Sequence, residues 1–226
     1  MKHIYIIAEI GCNHCGDPVC AKVMIEKAKA CGVDAVKFQT FKAAELISKY
    51  APKADYQKKT TGSDENQLEM TRKLELPYDE FIKLRDYAIS IGLDVFSTPF
   101  DMDSIDFLEK SGQAIWKIPS GEVTNLPFLE RIAKYKIQGK KIILSTGMCT
   151  MKEVHRAVDV ICKYEDPKNL VVLHCNTEYP TPDEDVNLSG IDTLHEELPG
   201  IEIGFSDHSV GYLAAIGACM KKYCSY

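Results

Sequence analysis

The chain has no apolar run of the ~20 residues that a membrane-spanning helix needs, and it is short of positive charge. Asp and Glu number 33 against 27 Lys and Arg, so the formal net charge is −6. This balance argues against nucleic acid or an anionic membrane as the main partner. The opening MKHIYIIAEIGCNH also lacks the long h-region and the cleavage site of a signal peptide. We therefore expect a cytoplasmic protein.

Two motif classes are missing as well. No G-x-G-x-x-G or P-loop follows the first predicted strand, which disfavours a dinucleotide site. Only one C-x-x-C pair occurs among nine cysteines, Cys12 and Cys15, so no second pair exists to complete a zinc site. A redox or metal role for this pair stays open as an alternative. Most other cysteines lie in helical patterns as small hydrophobic residues.

What the sequence does contain is a repeated alternation of strands and helices. Seven apolar strand patterns alternate with helical patterns across residues 1–226, with no break in composition that would mark a linker. The strands are nearly continuous apolar runs, which is typical of buried parallel strands. A polar stretch at residues 41–73 predicts a functional loop with short helices. Two α/β architectures fit: an open doubly wound sheet and a (β/α)8 barrel.

The positions of the polar residues favour the barrel. Nearly every predicted strand ends in hydrogen-bonding or charged side chains, from Glu9 on the first strand to His208 after the seventh. An open sheet carries its site at one switch point, whereas a barrel gathers all of its strand ends at one mouth. We therefore predict a TIM-type (β/α)8 barrel that is incomplete, with about seven β/α units, as one domain over residues 1–226.

Lys37 stands in the middle of the buried strand AVKFQT, where an unpaired ammonium would be costly. Because strand side chains alternate between faces, Lys37 and Gln39 share one face, and Val36 and Phe38 share the other. In a barrel Val36 and Phe38 would pack against helices, and the two polar side chains would point into the mouth, near Lys117. Two lysines among strand-end hydroxyls predict a site for a small phosphorylated or carboxylated ligand.

Histidines offer a second kind of chemistry. His208 in SDHS could ligate a divalent metal with Glu9 nearby, although a lone histidine is more often a structural hydrogen-bonding group. His174 lies earlier on its strand and is expected to be a core histidine. A single strand-end Ser or Thr, taken alone, is expected to cap the following helix and not to bind a ligand.

With these segments in place, the sequence resembles the bacterial N-acetylneuraminate (sialic acid) synthases, the NeuB-like family. The matching segments run from Ile4 to about Met220 and are AEIGCNH, VKFQTF, STPFD, KIPSGE, ILSTGM, LHCNTEYPTP and GFSDHS. Legionaminate and pseudaminate synthases share much of this set. The stretch FKAAELISKYAPKADYQ looks most like the N-acetylneuraminate branch.

The resemblance implies a barrel enzyme that condenses phosphoenolpyruvate with N-acetylmannosamine and releases phosphate and sialic acid. It places Glu9 and Glu122 at the reacting centre, and Gln39 and Tyr179 against the sugar. It implies a divalent metal, Mn²⁺ or Mg²⁺, with His208 as a ligand. The residues implied to bind phosphoenolpyruvate or line its site are Lys37, Thr98, Lys117, Ser120, Ser145, Asn176, Thr177, Ser206 and Asp207.

The end of the sequence departs from the family pattern. The family continues through an eighth strand with a second metal-binding histidine, and then a small antifreeze-like domain that closes the partner's site in a homodimer. This chain ends GACMKKYCSY, which matches neither. We therefore expect an exposed edge at the seventh strand and weaker metal binding.

Three alternatives to the sialic acid synthase stay open. The chain could be a catalytically impaired remnant that at most binds phosphoenolpyruvate. It could be a synthase for a related nonulosonate, legionaminate or pseudaminate. It could also be a Schiff-base aldolase that uses Lys37 or Lys117.

Overall fold

The computed structural model describes residues 3–52 and 66–226. The stretch predicted as a functional loop, residues 41–73, is thus described only in part, and residues 53–65 lie outside the described residues. The predicted short helices are confirmed on both sides of this gap, at Ala43–Leu46 and Gln67–Arg72. Within the described ranges, no helix combines the length and the apolar character needed to cross a membrane.

The chain forms two compact units. The N-terminal unit is the described part of Ala8–Gly112, and the C-terminal unit is Gln113–Tyr226 with the described residues up to Ile7. Up to Gly112 the elements are β1 (Ile7–Gly11), α1 (Pro18–Ala30), β2 (Ala35–Thr40), α2 (Ala43–Leu46), α3 (Gln67–Arg72), α4 (Tyr78–Ser90), β3 (Asp94–Pro99) and α5 (Met102–Lys110).

The predicted alternation continues through the second unit. Its elements are β4 (Ile115–Ile118), α6 (Leu126–Lys134), β5 (Lys141–Ser145), α7 (Met151–Cys162), β6 (Leu170–Cys175), α8 (Ser189–Glu197), β7 (Glu202–Ser206) and α9 (Leu213–Cys219). Strands β1, β2 and β3 are adjacent in that order in one sheet, and β4, β5, β6 and β7 follow in order in the other. The pairs β2–β3, β4–β5, β5–β6 and β6–β7 are parallel, so the helices serve as the crossovers between them.

In the N-terminal unit the predicted division of β2 into two faces is confirmed. Gln39 pairs with Thr98 of β3, and Lys37 pairs with Phe96, which puts these side chains on one face. On the other face, the ring of Phe38 packs edge-on against Phe81 of α4 with centroids 5.6 Å apart. The polar face of β2 therefore points away from the helix that covers its apolar face.

The four-stranded sheet shows the same division. The register pairs Lys117 with Ile143, Ser145 with Leu173, and Cys175 with Ser206. Because paired residues share a face and faces alternate along a strand, Lys117, Ser145, Cys175 and Ser206 all lie on one side of this sheet.

The opposite side of the four-stranded sheet carries its core. Trp116 is fully buried there, donates its indole N–H to the Gln113 carbonyl at 2.9 Å, and packs edge-on against Tyr135. On the same side, Nε2 of His174 lies 2.9 Å from the Val186 carbonyl oxygen, which precedes α8. The expectation that His174 is a structural histidine is consistent with this contact.

A buried lysine closes the C-terminal end of α6. Lys140 is only 4% exposed, and its ammonium donates to the carbonyls of Ile132, Ala133 and Tyr135 at 2.7, 3.0 and 2.6 Å. Glu165, after α7, pairs with the same ammonium at 3.0 Å. These carbonyls lie at the end of the helix, where backbone acceptors outnumber donors, so the lysine supplies further hydrogen bonds and adds favourable charge.

The expectation that the edge of β7 is exposed is wrong. Cys224 forms a parallel bridge with Ile203, the Ser225 N–H donates to the Ile203 carbonyl at 2.8 Å, and the Phe205 N–H donates to the Tyr226 carbonyl oxygen at 2.9 Å. On its other side Ser225 accepts the Tyr5 N–H at 3.0 Å. The divergent tail therefore covers this edge with backbone hydrogen bonds, which sequence comparison could not reveal because they depend little on side-chain type.

Candidate active site

Lys37 is buried, and the structure shows how its charge is stabilised. Its ammonium lies 2.7 Å from Oε2 of Glu9 at β1 and donates to Oγ1 of Thr98 on β3 at 3.1 Å. The Lys37 side chain is 10% exposed, whereas the Glu9 side chain is 47% exposed. The pair therefore presents a carboxylate to solvent and holds a cation beneath it. Three of the predicted site residues are thus brought together.

Gln39 of β2 lies beside this cluster, next to the turn that follows β1. Gly11 has φ +53°, and a Cβ at this position would lie 2.7 Å from Oε1 of Glu9 and 3.6 Å from Nε2 of Gln39. Only a glycine fits between the two side chains without moving one of them. The turn also brings Sγ of Cys12 to 3.1 Å from Oε1 of Gln39.

The C-terminal unit contains a second polar cluster around Ser120. Its hydroxyl accepts the Gly147 N–H at 2.9 Å and lies 3.2 Å from Sγ of Cys175. A Cβ on Gly147 would come within 2.7 Å of Cγ2 of Thr177, 3.0 Å of Cys175 Sγ and 3.1 Å of Ser120 Oγ. A side chain at position 147 would therefore collide with the residues around the hydrogen bond between Gly147 and Ser120. We call Ser120, Gly147, Cys175 and Thr177 the Ser120 cradle.

His208 is held on two sides. Its Nδ1 lies 2.5 Å from the Asn176 carbonyl oxygen, and its Nε2 lies 3.3 Å from the Tyr179 hydroxyl, with the two rings 4.2 Å apart. A carbonyl only accepts, so Nδ1 carries the proton and the Nε2 lone pair faces Tyr179. A shallow depression of about 160 Å³, open to solvent, is lined by Asn176, Thr181, Val186, Phe205, Ser206, Asp207 and His208.

This tautomer fits the predicted role of His208 as a metal ligand, because metal-binding histidines commonly donate their other ring N–H to a carbonyl. Within residues 3–52 and 66–226, however, no cluster of three or more His, Cys, Asp or Glu side chains is suited to a metal ion. Among the described residues, the predicted metal site thus consists of a single side chain, the His208 imidazole, whose orientation is fixed by Asn176. A metal bound there would take other ligands from water and substrate oxygens, as Mg²⁺ commonly does.

Of the other predicted residues, Lys117 and Ser145 lie on β4 and β5, and Glu122 and Asp207 lie in the segments that follow β4 and β7. Ser145 and Lys117 are buried on the polar side of the four-stranded sheet, and the Lys117 ammonium donates to the Ile118 carbonyl at 3.0 Å. Asp207 accepts the N–H and the hydroxyl of Ser209, so one of its oxygens stabilises its own loop. Glu122 lies on a short 3₁₀ turn and accepts a hydrogen bond from Asn125 at 2.6 Å. The convergence of Lys37 and Lys117 on one ligand stays a prediction.

Sequence reasoning missed Gly147, Cys12 and Cys175. Gly147 could have been found, because it directly follows the polar strand end Ser145–Thr146, where a backbone N–H often binds an anion. The two cysteines gave no such signal. Cys12 was interpreted only as half of a C-x-x-C pair, and Cys175 received no role. Their polar contacts are made with residues 27 and 55 positions away, respectively.

Comparison with known proteins identifies the relatives of this chain. A family model described as the NeuB family matches residues 24–221. Over 97% of its length the chain is 47% identical to N,N'-diacetyllegionaminic acid synthase of Campylobacter jejuni, and over 96% it is 43% identical to the enzyme of that name from Legionella pneumophila. The chain spans 66% and 62% of the lengths of these two relatives, which is just under two thirds.

The fold also has solved counterparts. The N-acetylneuraminic acid (sialic acid) synthetase of Leptospira borgpetersenii, crystallised with citrate, superposes with a TM-score of 0.81 at 31% identity. The superposition covers 96% of this chain and 69% of that one. This likeness confirms the predicted fold class, an α/β fold of the (β/α)8-barrel type.

Proposed function

Because the chain belongs to the NeuB family, we propose that it is a nonulosonate synthase, which condenses phosphoenolpyruvate with an open-chain N-acyl amino sugar and releases phosphate. The observation that carries this proposal is the Lys37–Glu9 pair. A buried ammonium and a solvent-facing carboxylate 2.7 Å apart supply the two charges that the reaction needs. One binds an anionic substrate, and the other stabilises positive charge that develops on it.

In the proposed reaction, the C2–C3 π electrons of phosphoenolpyruvate form a bond from C3 to the aldehyde carbon of the sugar, and the carbonyl π pair moves to the aldehyde oxygen, which takes a proton. Positive charge then develops at C2, and water adds there and loses a proton. The C2–oxygen bond to phosphate breaks as the new C2 hydroxyl gives up its proton and becomes the keto group. We assign Glu9 to the cationic carbon and to the activation of that water, because its carboxylate is half exposed and fixed by Lys37. Glu122, in contact with Asn125, is the second candidate for this role.

The anionic groups of phosphoenolpyruvate need several donors. We assign to this task the ammoniums of Lys37 and Lys117 and the Thr98 and Ser120 hydroxyls, with the Gly147 N–H holding the Ser120 hydroxyl in place. Further strand-end side chains assigned to substrate are Gln39, Ser145, Asn176, Thr177, Tyr179, Ser206 and Asp207. In both sheets the lysine occupies a buried strand position near a hydroxyl-bearing strand end, which is the setting expected for a charged ligand rather than for packing.

The family's divalent metal would be held by Nε2 of His208, whose tautomer is fixed by Asn176. When bound, such an ion supplies Lewis-acid polarisation of a carbonyl oxygen. Tyr179, against the His208 ring, is placed to position an oxygen of the sugar beside it.

For the acceptor, we propose an amino sugar with two acetamido groups rather than N-acetylmannosamine. The supporting observation is that the relatives at 47% and 43% identity are named N,N'-diacetyllegionaminic acid synthases, whereas identity to the sialic acid synthetase is 31%. The comparisons therefore support the related-nonulosonate alternative better than the N-acetylneuraminate branch favoured from residues 41–57.

The test is a phosphate-release assay with phosphoenolpyruvate, Mn²⁺ and a panel of N-acyl hexosamines that includes N-acetylmannosamine and a 2,4-diacetamido hexose. We expect release that requires both substrates and is fastest with the diacetamido sugar, and we expect Glu9→Gln to abolish it while phosphoenolpyruvate still binds. Sugar-independent release, or calorimetric binding of phosphoenolpyruvate with no turnover on any sugar, would overturn the proposed synthase activity.

Gly147→Ala is expected to weaken phosphoenolpyruvate binding about 10-fold or more, because displacing the Ser120 hydroxyl would remove a hydrogen bond to a charged group, worth about 1.5–3 kcal/mol. The new methyl group would lie 2.7–3.1 Å from atoms of Thr177, Cys175 and Ser120, inside the Ser120 cradle. The measurement is calorimetric titration with phosphoenolpyruvate. Gly121→Ala is the matched control, because a Cβ there meets no atom within 4 Å. Equal affinities for the two variants would show that the cradle does not contact the ligand.

A further inference from the structure

Cys12 occupies an unusual position for a residue that sequence analysis interpreted as part of a C-x-x-C pair. It follows β1, where the Asn13 N–H donates to the Ile10 carbonyl and closes a tight turn. This turn directs the half-buried thiol across to β2, where Sγ lies 3.1 Å from the Gln39 side-chain oxygen. The contact is made within the cluster that contains Glu9 and Lys37, and not with Cys15.

The thiol is a hydrogen-bond donor at neutral pH. Burial, and to a smaller extent the Glu9 carboxylate, raises the pKa of the Cys12 thiol to about 11, against an opposing effect of Lys37. The protonated sulfur therefore donates to the carboxamide oxygen of Gln39. A deprotonated sulfur in this position would instead face that oxygen as a second acceptor, which is unfavourable.

Occupying the oxygen of Gln39 fixes the direction of its amino group. A carboxamide has one acceptor side and one donor side, so a donor bound to Oε1 leaves Nε2 on the opposite edge. That edge lies beside Gly11, 3.6 Å from the position of its absent Cβ, and the same point is 2.7 Å from Oε1 of Glu9. The amino group of Gln39 and the carboxylate assigned to the reacting carbon therefore both border the space above Gly11.

We propose that Cys12 is a positioning residue for the acceptor sugar, which keeps the Gln39 carboxamide in the orientation that donates to an oxygen of the N-acyl amino sugar. This inference rests on the proposed function, because it takes Gln39 to contact the sugar. A freely rotating carboxamide would present its acceptor side to the same sugar oxygen for part of the time. The thiol removes that alternative without itself touching substrate.

The kinetic test compares Cys12→Ala, Cys12→Ser and Gln39→Met. Cys12→Ala is expected to raise KM for the amino sugar about fivefold, the factor that one neutral hydrogen bond typically supplies, with KM for phosphoenolpyruvate unchanged. Cys12→Ser restores a donor and should recover most of this loss. In the Gln39→Met background, Cys12→Ala should have no further effect. Cys31→Ala, which removes an exposed thiol from the same unit, is the control.

The alternatives give different results. An equal rise in both KM values, no recovery in Cys12→Ser, or additive effects of Cys12→Ala and Gln39→Met would assign Cys12 a purely structural role and overturn the proposal.

A second measurement separates this inference from the failure of the synthase proposal. The S–H stretching band in the infrared spectrum is sensitive to hydrogen bonding, so the difference between wild type and Gln39→Met should show one S–H band moving to higher frequency. The same band should vanish in Cys12→Ala. If no sugar supports turnover but this band shifts, the contact stands and the proposed function fails. If the band does not shift, the positioning role fails whatever the activity.

Discussion

Lys37→Met is expected to weaken phosphoenolpyruvate binding by about 30-fold or more, because removing one partner of a buried, hydrogen-bonded charge pair typically costs 2–5 kcal/mol. The substitution keeps the length and apolar stem of the side chain but removes the ammonium that contacts Glu9 and Thr98. Glu9 would keep its negative charge and would then repel an anionic ligand. Calorimetric titration with phosphoenolpyruvate measures the change.

The control for Lys37→Met is Lys27→Met, on the exposed side of α1. It removes the same charge from the same unit, so any general effect of net charge on an anionic ligand appears in both variants. The predicted loss is specific to Lys37. Binding by Lys37→Met that stays within about threefold of wild type would show that the Lys37–Glu9 pair is structural and would remove the main support for the proposed function.

Lys140→Met is expected to lower the free energy of unfolding by about 3–5 kcal/mol, the usual cost of breaking a buried ion pair. Methionine fills the same space, but three carbonyls at the end of α6 lose their donor, and Glu165 loses its cation. In a domain of this size the change corresponds to a fall in Tm of roughly 6–20 °C. Denaturant unfolding followed by circular dichroism measures it.

Lys168→Met serves as the comparison for Lys140→Met, since Lys168 is exposed on the 3₁₀ turn before β6. A surface substitution of this kind is expected to change stability by less than about 0.5 kcal/mol. If Lys140→Met unfolds within 1 kcal/mol of the Lys168 variant, water reaches the end of α6 and replaces the lysine, and the capping role is wrong.

The parts of the fold that the sequence predicted are those governed by short-range periodicity. The alternation of Lys37 and Gln39 with Val36 and Phe38 follows from the geometry of any strand, so it could be inferred from four letters and was confirmed by the register with β3. The capping box of Thr150 and Glu153 at the start of α7 is equally local, because its hydrogen bonds join residues three positions apart.

The partners of these side chains could not be inferred in the same way. That Lys37 would pair with Glu9 depends on β1 lying beside β2, and that Cys12 would reach Gln39 depends on the positive φ of Gly11. Gly147 and Ser120 approach each other only because β4 and β5 are neighbours with a particular register. Such contacts depend on which strands are neighbours in the tertiary structure, and the periodicity of the sequence does not predict this.

The pairing of Cys224–Tyr226 with β7 has a practical consequence for handling the protein. Because the tail runs parallel to β7 and Tyr226 accepts the Phe205 N–H, an affinity tag fused after Tyr226 would start alongside Ser206 and run towards His208. A fluorophore for the binding measurements is better attached at the exposed thiol of Cys31 after the other exposed cysteines, Cys15 and Cys219, are replaced by Ser, which keeps the β7 edge and the neighbouring strand end as they are.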